Sequence, residues 1–444
     1  MIMIQNIALK LVFFLMCSCT SMLCLAQSGS LVVHEVKKGE TLYSLSKEYA
    51  ISVDEILTAN PDLKQNKKAK LKKGYLLNIP KTSGKPTTTT PSTPIDTFKL
   101  AIVLPFTKNS AISERAIEFY RGILMAANEA KKANYCVEIS AFDEVSQNES
   151  LRPILDEISN SSYNFVIGPL YPSHFNDVCD YALINKQKTI IPFSSKVTNI
   201  QDNPYLYLLN TPNTVYYEKV AKLFDKTFQS ARTIFVRTVN ADKLEFTDHL
   251  MQHFLNNKYE VQTLPNTFVN EDLERVLTEE KQNIFIFDGS DWDSNFKLVQ
   301  SLVNFKIANP RYNIKLVGHN EWQVHAMDNA DILHEVDTYI IATDYYDAYN
   351  KAVIDFEENY KNMFNTYPLI YHPRIGELGY DSGLFMLNAM ALYGNNFTNQ
   401  DFSANYLQTK LKFEKISHNG GYVNTNILFI HYTPDQQIEC IELK

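Results

Sequence analysis

The sequence lacks the features that mark several large classes of protein. Its 444 residues carry 42 Lys plus Arg against 50 Asp plus Glu, a net charge of −8, so no general attraction to nucleic acid or anionic lipid is expected. No G-x-S-x-G, Walker, G-x-G-x-x-G or H-E-x-x-H motif occurs. With 45% hydrophobic residues the chain is globular, and its length suggests two or three domains of roughly 150 residues each.

The first 26 residues predict export. Lys10 precedes an apolar run from Leu11 to Leu25, which is shorter than the roughly 20 residues that a membrane-spanning helix needs. We therefore predict a signal peptide over residues 1–26 and a mature chain without a transmembrane helix. The expected location is the periplasm or cell envelope. A lipid anchor is the alternative, with Cys19 after the small Ser18 as its acceptor.

Few cysteines remain once this segment is removed. Cys136, Cys179 and Cys440 allow at most one disulfide, and we favour three free buried thiols.

Residues 81–97, rich in Thr and Pro, predict a linker between a small module at 32–80 and a large one at 98–444. The two sides differ in charge: residues 27–97 hold 11 Lys and 7 acids, whereas 98–444 hold 30 basic and 43 acidic residues.

The small module predicts the order β-α-α-β. A strand around Val33 to Val36 is followed by Leu42, Leu45 and Tyr49 at helical spacing. Ser52 and Glu55 form a capping box for a second helix, and a closing strand covers Tyr75 to Ile79.

Four motifs in this module resemble the LysM family. They are G-E-T-L at 39–42, Y-A-I-S at 49–52, A-N-P-D-L at 59–63 and L-N-I-P at 77–80. The resemblance implies binding of a glycan that contains N-acetylglucosamine, such as peptidoglycan, between two turns. Carried over to this chain, it predicts the glycan-binding residues Gly39, Glu40, Thr41, Leu42, Asn60, Pro61 and Leu63. The alternative is that these are turn and core residues only, and both roles are compatible.

The large module predicts an α/β fold. Short β-branched runs alternate with amphipathic helices, as in doubly wound parallel sheets. The predicted strands are Leu100–Pro105, Cys136–Ala141, Phe165–Gly168, Thr189–Phe193, Thr233–Val236, Val261–Leu264, Ile284–Phe287, Ile314–Gly318 and Thr338–Ala342. We place one lobe at about 98–210 and 338–444, and the other at about 211–337. Ligands of such sheets bind beyond the carboxyl ends of the strands.

Several segments of the large module resemble the type 1 periplasmic binding proteins, the fold of the branched-chain amino-acid receptors. They include V-I-G-P-L-Y at 166–171, I-P-F-S-S at 191–195 and L-G-Y-D-S at 378–382. In that family the loops after the third and fourth strands bind the ligand's carboxylate and amino group. The resemblance therefore predicts the ligand-binding residues Tyr171, Ser173, Ser194 and Ser195. The alternative for the two later serines is that they cap the following segment.

Two departures from that family make an amino-acid pocket doubtful. Tyr171-Pro172 stands where small residues form the carboxylate loop, and Tyr207–Asn210 replaces a phenylalanine-arginine pair. No catalytic residue, cofactor or metal site is predicted, although Glu245, His249 and His253 would share one helical face.

The sequence thus predicts a noncatalytic cell-envelope protein. LysM would hold peptidoglycan, and the second module would sense a small ligand or dock an envelope protein. The alternatives are a substrate-binding receptor for an amino-acid or peptide transporter, a regulator of a peptidoglycan synthase, and, less favoured, a wall hydrolase.

Overall fold

The structure of the protein is a computed structural model. The structure describes residues 31–37, 45, 49, 56, 59–60, 63, 73–80, 97–107, 110–402 and 404–443. The chain divides into two compact units, Met1–Pro91 and Ser92–Lys444. The predicted signal peptide and residues 81–96 of the predicted linker lie outside the described residues. Thr97, which the sequence placed in the linker, begins a strand.

A two-stranded antiparallel sheet frames the small unit. Strand β1 (Leu31–Glu35) pairs with β2 (Leu76–Pro80). Leu45 and Ile56 are helical, and their side chains are fully buried in one cluster with Leu77. These positions agree with the predicted β-α-α-β order, of which most helical residues lie outside the described part of the chain.

The large unit contains two sheets and flanking helices. Its described strands are β3 (Thr97–Leu104), β4 (Cys136–Asp143), β5 (Phe165–Ile167), β6 (Thr189–Ile191), β7 (Leu206–Leu208), β8 (Arg232–Arg237), β9 (Glu260–Pro265), β10 (Gln282–Phe287), β11 (Asn313–Gly318), β12 (Thr338–Ala342), β13 (Phe413–Lys415), β14 (Tyr422–Asn424), β15 (Leu428–Tyr432) and β16 (Ile438–Glu442). Its described helices are α1 (Ala111–Lys132), α2 (Arg152–Ser159), α3 (Phe175–Ile184), α4 (Asn213–Thr227), α5 (Leu244–Asn256), α6 (Asn270–Val276), α7 (Trp292–Ala308), α8 (Gln323–Ala326), α9 (Ala330–Glu335), α10 (Lys351–Phe364) and α11 (Ile375–Tyr393).

Each sheet forms the centre of one lobe. The first has the order β13-β14-β7-β6-β5-β3-β4, and the second β16-β15-β12-β11-β10-β8-β9. Neighbouring strands are parallel except where β13, β15 and β16 pair. Every residue of β5, β6 and β12 is buried, because helices cover both faces of the sheets. The predicted α/β class with two doubly wound lobes is confirmed.

The predicted boundary between the lobes requires a correction. Residues 338–444 were assigned to the first lobe, but β12 pairs with β11 and therefore belongs to the second sheet. β15 and β16 extend that same sheet in antiparallel register. The chain therefore crosses between the lobes three times: after β7, after β12 and after β14. An apolar strand shows that it is buried, but not which of two sheets it joins, so the sequence could not place these strands.

Two helices of the first lobe pack at very close range. A Cβ atom at Gly122 of α1 would overlap the carbonyl oxygen of Gly376, and one at Gly379 of α11 would overlap that of Phe119. The glycines therefore allow the two backbones to touch. This contact explains why the L-G-Y-D-S segment of α11 contains glycine, and it fixes α11 against α1.

Candidate functional site

Asn60 is a structural residue of the predicted glycan-binding turn. Its side chain is buried, and its Nδ2 donates to the carbonyl oxygens of Ile56 at 2.7 Å and Asn78 at 2.8 Å. Its Oδ1 accepts from the backbone N–H of Asn78 at 2.9 Å. The amide thus ties the turn after the second helix to β2, which leaves a sugar contact by this side chain as a prediction.

The other predicted glycan residues divide into two groups. Leu63 is half-buried against the apolar cluster of the small unit, and its N–H donates to the carbonyl oxygen of Asn60 at 3.1 Å. Gly39, Glu40, Thr41, Leu42 and Pro61 lie outside the described residues, so their role stays a prediction. The small unit also contains a pair that the sequence did not reveal, since the Nδ1 of His34 lies 2.8 Å from the Tyr49 hydroxyl.

In the large unit, the end of the edge strand β4 carries two adjacent carboxylates that hold neighbouring loops. Asp143 accepts hydrogen bonds from the backbone N–H groups of Phe106 at 2.6 Å and Thr107 at 3.2 Å. The Thr107 hydroxyl also donates to Asp143. The loop after β3 is therefore closed by a carboxylate of the chain itself.

Glu144 does the same for the loop after β5. This buried carboxylate accepts from the backbone N–H groups of Leu170 at 2.8 Å and Tyr171 at 3.0 Å, and its Oε1 lies 2.8 Å from the Nδ1 of His174. The His174 Nε2 lies 3.0 Å from the carbonyl oxygen of Glu149. Burial raises the pKa of Glu144, and its hydrogen bonds oppose that rise. The acceptor for these donors is thus a side chain of the protein itself.

The predicted ligand residues of this loop have different surroundings. Tyr171 is buried, and its ring meets that of His174 edge-on at 6.0 Å between centroids. Ser173 is exposed within a short 3₁₀ turn that precedes α3. Tyr171 thus packs inside the loop, whereas Ser173 faces solvent, and the loop does not present both side chains in the same way.

Ser194 participates in a local turn after β6. Its hydroxyl accepts from the backbone N–H of Lys196 at 3.0 Å, which agrees with the capping alternative. Ser194 and Ser195 are both half-buried. Their hydroxyls follow the buried strand as expected, and ligand binding by them stays a prediction.

In the second lobe, the carboxyl ends of the strands also carry buried polar side chains, and these bond to other groups of the same lobe. Asp288, buried after β10, accepts from the Thr247 hydroxyl at 2.8 Å and from Arg237 at 3.2 Å. His319, buried after β11, has its Nε2 2.6 Å from the carbonyl oxygen of Phe287. Burial lowers the pKa of His319, which favours the neutral ring. These hydrogen bonds connect the ends of β10 and β11 to neighbouring segments of the lobe.

The G-Y-D segment of α11 holds a buried carboxylate. Asp381 accepts from the backbone N–H groups of Leu407 at 2.7 Å, Gln408 at 3.1 Å and Thr409 at 2.8 Å. Burial raises its pKa to about 7 against the effect of these donors. Asp381 therefore anchors the segment 407–409 to α11, which is a structural explanation for this motif.

One turn earlier, Glu377 is fully buried, and neither carboxylate oxygen has a hydrogen-bond partner among the described residues. Burial raises its pKa to about 8. The burial of this group was not predicted, because an acidic residue near the start of a helix usually faces solvent.

The histidines considered for metal binding have other partners. His253 lies 2.9 Å from Asp225, and the ring of His249 packs against that of Tyr217 at 5.3 Å between centroids. Among the described residues, no cluster of three His, Cys, Asp or Glu side chains is arranged to hold a metal ion. In that same part of the chain, no helix has the length and apolar character needed to cross a bilayer.

Comparison with known protein families matches the small unit. Residues 34–80 match the LysM domain model. No curated protein sequence matches the chain significantly.

The large unit resembles solved structures at low sequence identity. A protein from Rhodospirillum rubrum described as a branched-chain amino acid ABC transporter is 12% identical, with a TM-score of 0.55 over 78% of this chain and 99% of that one. LpoA from Haemophilus influenzae is also 12% identical, with a TM-score of 0.49 over 79% of this chain and 60% of that one. LivJ from Streptococcus pneumoniae, solved with isoleucine, is 13% identical, with a TM-score of 0.40 over 78% of this chain and 100% of that one. The chain thus joins a LysM domain at residues 34–80 to a unit with the two-lobed fold of type 1 periplasmic binding proteins.

Proposed function

We propose that this is a noncatalytic protein of the cell envelope that binds an N-acetylglucosamine-containing glycan through its LysM domain and docks an envelope protein through its large unit. A regulator of a peptidoglycan synthase fits this description. The observation that carries the choice of docking over ligand capture is the hydrogen bonding of Asp143 and Glu144, which occupy the loop N–H groups at the first-lobe strand ends.

This bonding disfavours an amino-acid receptor. A ligand carboxylate would have to displace Glu144, whose side chain is buried and bonded to Leu170 and Tyr171. It would also approach two carboxylates of like charge, which raises the free energy of the bound state. The N–H groups of Leu170 and Tyr171 are therefore already bonded within the chain, and an amino-acid carboxylate would need other donors.

An exposed apolar segment supports protein docking. Between α10 and α11, the α10–α11 loop (residues 366–372) presents Ile370, which is 83% exposed, and Tyr367, which is 55% exposed. The loop is fixed from behind, because the Leu369 N–H donates to Glu118 of α1 at 3.0 Å. Large apolar side chains held outward on a fixed loop are typical of contact sites for proteins.

Retention on purified sacculi tests the tether. The full chain should sediment with sacculi, and a chain that lacks residues 31–80 should stay in solution. Equal retention of the two chains would reject glycan binding by the LysM domain. Loss of turbidity of the sacculi during this assay would instead indicate a wall hydrolase.

Site-specific crosslinking tests the docking role. A photoreactive residue at Ile370 should capture an envelope protein in cells, whereas the same residue at Ile184, also an exposed isoleucine at 78%, should not. Leucine, isoleucine and a dipeptide panel should leave the melting temperature of the purified chain unchanged. A clear upward shift with one of them, together with no crosslink at Ile370, would favour the transporter receptor.

A further inference from the structure

Strand β4 forms one edge of the first sheet. It runs over 8 residues, Cys136–Asp143, and pairs with β3 in one unbroken parallel register. Among the described strands, none pairs with its other side. Glu138 and Ala141 in the body of the strand are exposed, and Ile139 and Ser140 between them are half-buried. The outer side of β4 is therefore within reach of another molecule.

The backbone groups of alternate residues of β4 point away from the sheet. The N–H of Glu144, directly after the strand, donates to the carbonyl oxygen of Leu104 at the end of β3, at 2.9 Å. Because successive residues of a strand direct their backbone groups to opposite sides, the even-numbered residues of β4 bond to β3 and the odd-numbered ones face outward. The outward N–H and carbonyl groups belong to Val137, Ile139, Ala141 and Asp143.

Strand β4 also lacks the features that usually prevent sheet edges from pairing. Such edges are commonly short, charged, bulged or interrupted by proline. Of the other described edges, β13 has 3 residues, β9 ends at Pro265, and β16 carries Glu439 and Glu442. In β4 there is no proline and no bulge, and the charge of Glu138 is balanced by an ion pair of 2.8 Å with Lys99 of β3. Among the described edges, β4 is thus the one best suited to pairing.

The strand is complementary to itself in an antiparallel register centred on Ser140. In this register Val137 of one copy faces Asp143 of the second copy, and Ile139 faces Ala141. Each of these pairs, counted from both strands, exchanges two hydrogen bonds through its outward backbone groups, which gives about eight in total. All the outward groups of both strands are then satisfied.

Charge favours this register over its neighbours. It places the two Glu138 carboxylates about 13 Å apart along the strands, beyond the screening length of about 8 Å in physiological salt. A slide of two residues in one direction would bring them within about 7 Å of each other. A slide of two residues in the other direction would set Glu138 opposite Glu144 of the second copy, and like charges in that position are destabilising.

We propose that two copies of this chain pair through β4 into a dimer with twofold symmetry, in which the two first-lobe sheets join edge to edge. A second copy is the occupant because the axis through Ser140 satisfies both strands at once and leaves no outward edge of β4 for a third chain. This inference goes beyond the proposed function, since neither the glycan tether nor the docking of an envelope protein requires a second copy.

Cysteine crosslinking tests the register directly. Opposite residues that are not hydrogen-bonded lie about 4.5 Å apart at Cα, a distance that a disulfide spans. With the two exposed native cysteines replaced, by Cys136→Ser and Cys440→Ser, the change Ser140→Cys should yield a disulfide-linked dimer of the full chain on oxidation. Glu138→Cys is the matched control on the same face of the strand. It should crosslink at least tenfold less, because its copies would lie about 13 Å apart.

Sedimentation velocity over a concentration series tests the dimer without crosslinking. The full chain should shift from one copy to two as its concentration rises. Ala141→Lys adds a charge close to the same charge of the second copy, and should raise the dissociation constant at least tenfold. Ala308→Lys makes the same change at an exposed alanine at the end of α7, and should leave the dissociation constant unchanged.

Hydrogen exchange of the unmodified chain supplies a measurement that needs no variant, should Ala141→Lys fail to fold by circular dichroism. The outward amides of Val137, Ile139 and Ala141 should exchange quickly in dilute solution and at least tenfold more slowly where the dimer predominates.

Four results would overturn the proposal. They are a chain that stays single at every concentration, equal crosslinking of Ser140→Cys and Glu138→Cys, unchanged association of a folded Ala141→Lys chain, and crosslinking of Ser140→Cys to a different envelope protein instead of a second copy. Slow exchange of the outward amides in a chain that stays single would assign the edge to another segment of the same chain. Retention on sacculi does not require β4, so failure of the dimer is distinguishable from failure of the glycan tether.

Discussion

The backbone N–H of Leu170 donates a hydrogen bond of 2.8 Å to the buried carboxylate of Glu144. Tyr171 donates to the same group at 3.0 Å. The N–H groups of the loop after β5 therefore have their acceptor within the chain.

Replacement of Glu144 should turn this loop into a site for small carboxylates. Glu144→Ala leaves the donors of Leu170, Tyr171 and His174 without their acceptor, so we expect the free energy of unfolding to fall by roughly 2–4 kcal/mol. Acetate should restore part of the lost melting temperature, because it returns a carboxylate to the vacated space. Chemical denaturation and thermal melts with and without acetate measure both effects.

Glu149→Gln is the matched control, since Glu149 is exposed and contacts His174 only through its backbone carbonyl. It should melt like the unmodified chain, with and without acetate. A Glu144→Ala protein of unchanged stability would contradict the role assigned to this carboxylate.

Stability should fall as the pH rises from about 5 to about 8, because of Glu377. Its pKa is about 8 in the folded chain against 4.5 for an ordinary glutamate. Between these values the folded state holds a proton that the unfolded state has released, so the free energy of unfolding decreases with pH. Below 4.5 both states are protonated, and above about 8 the loss is complete. We expect a loss of several kcal/mol, measured by urea unfolding at a series of pH values.

The variant Glu377→Gln should flatten this dependence. Part of the slope should remain, because burial also raises the pKa of Asp381, to about 7. Glu358→Gln, an exposed change on α10, should keep the full slope. A Glu377→Gln protein with the original pH profile would show that Glu377 is ionised in the folded chain.

Close packing between α1 and α11 should make their glycines intolerant of alanine. At Gly379 the added methyl group would overlap the backbone of Phe119, so we expect Gly379→Ala to cost about 1–3 kcal/mol, or to prevent folding. Gly289→Ala is the matched control, because the nearest atom to its new Cβ would be 3.7 Å away. Denaturant unfolding compares the two, and equal stability would show that the helices can separate without cost.

The sequence predicted much of the fold because buried parallel strands have a distinctive composition. The predicted strands from Leu100 to Ala342 correspond to β3–β6 and β8–β12. The short β7 and the strands after α11 were not predicted. Residues 420–432 are buried throughout, but the pairing of β14 and β15 depends on strands more than 75 residues earlier, such as β12. Local patterns carry no information about such distant partners.

The candidate site was less predictable for the same reason. Asp143 and Glu144 end a strand as many surface acids do, and only the folded chain brings Leu170 and Tyr171 to them. Ser194 was predicted with two alternatives, and its bond to the Lys196 N–H matches the local one. Contacts within a few residues can be derived from sequence, whereas contacts between loops depend on the sheet order.

The amide of Asn60 should control the stability of the small unit alone. Asn60→Ala removes two donated bonds and one accepted bond, and it leaves the N–H of Asn78 without that acceptor. We expect a loss of roughly 2–4 kcal/mol in the unfolding of this unit, which is enough to unfold much of a small domain. Binding to chitooligosaccharides should fall with it, because the turn that Asn60 holds would no longer be formed. Differential scanning calorimetry should show one transition lowered and the transition of the large unit unchanged. The exposed change Lys73→Ala should alter neither transition, and if Asn60→Ala melts and binds sugar as the original chain does, the turn is held by other contacts.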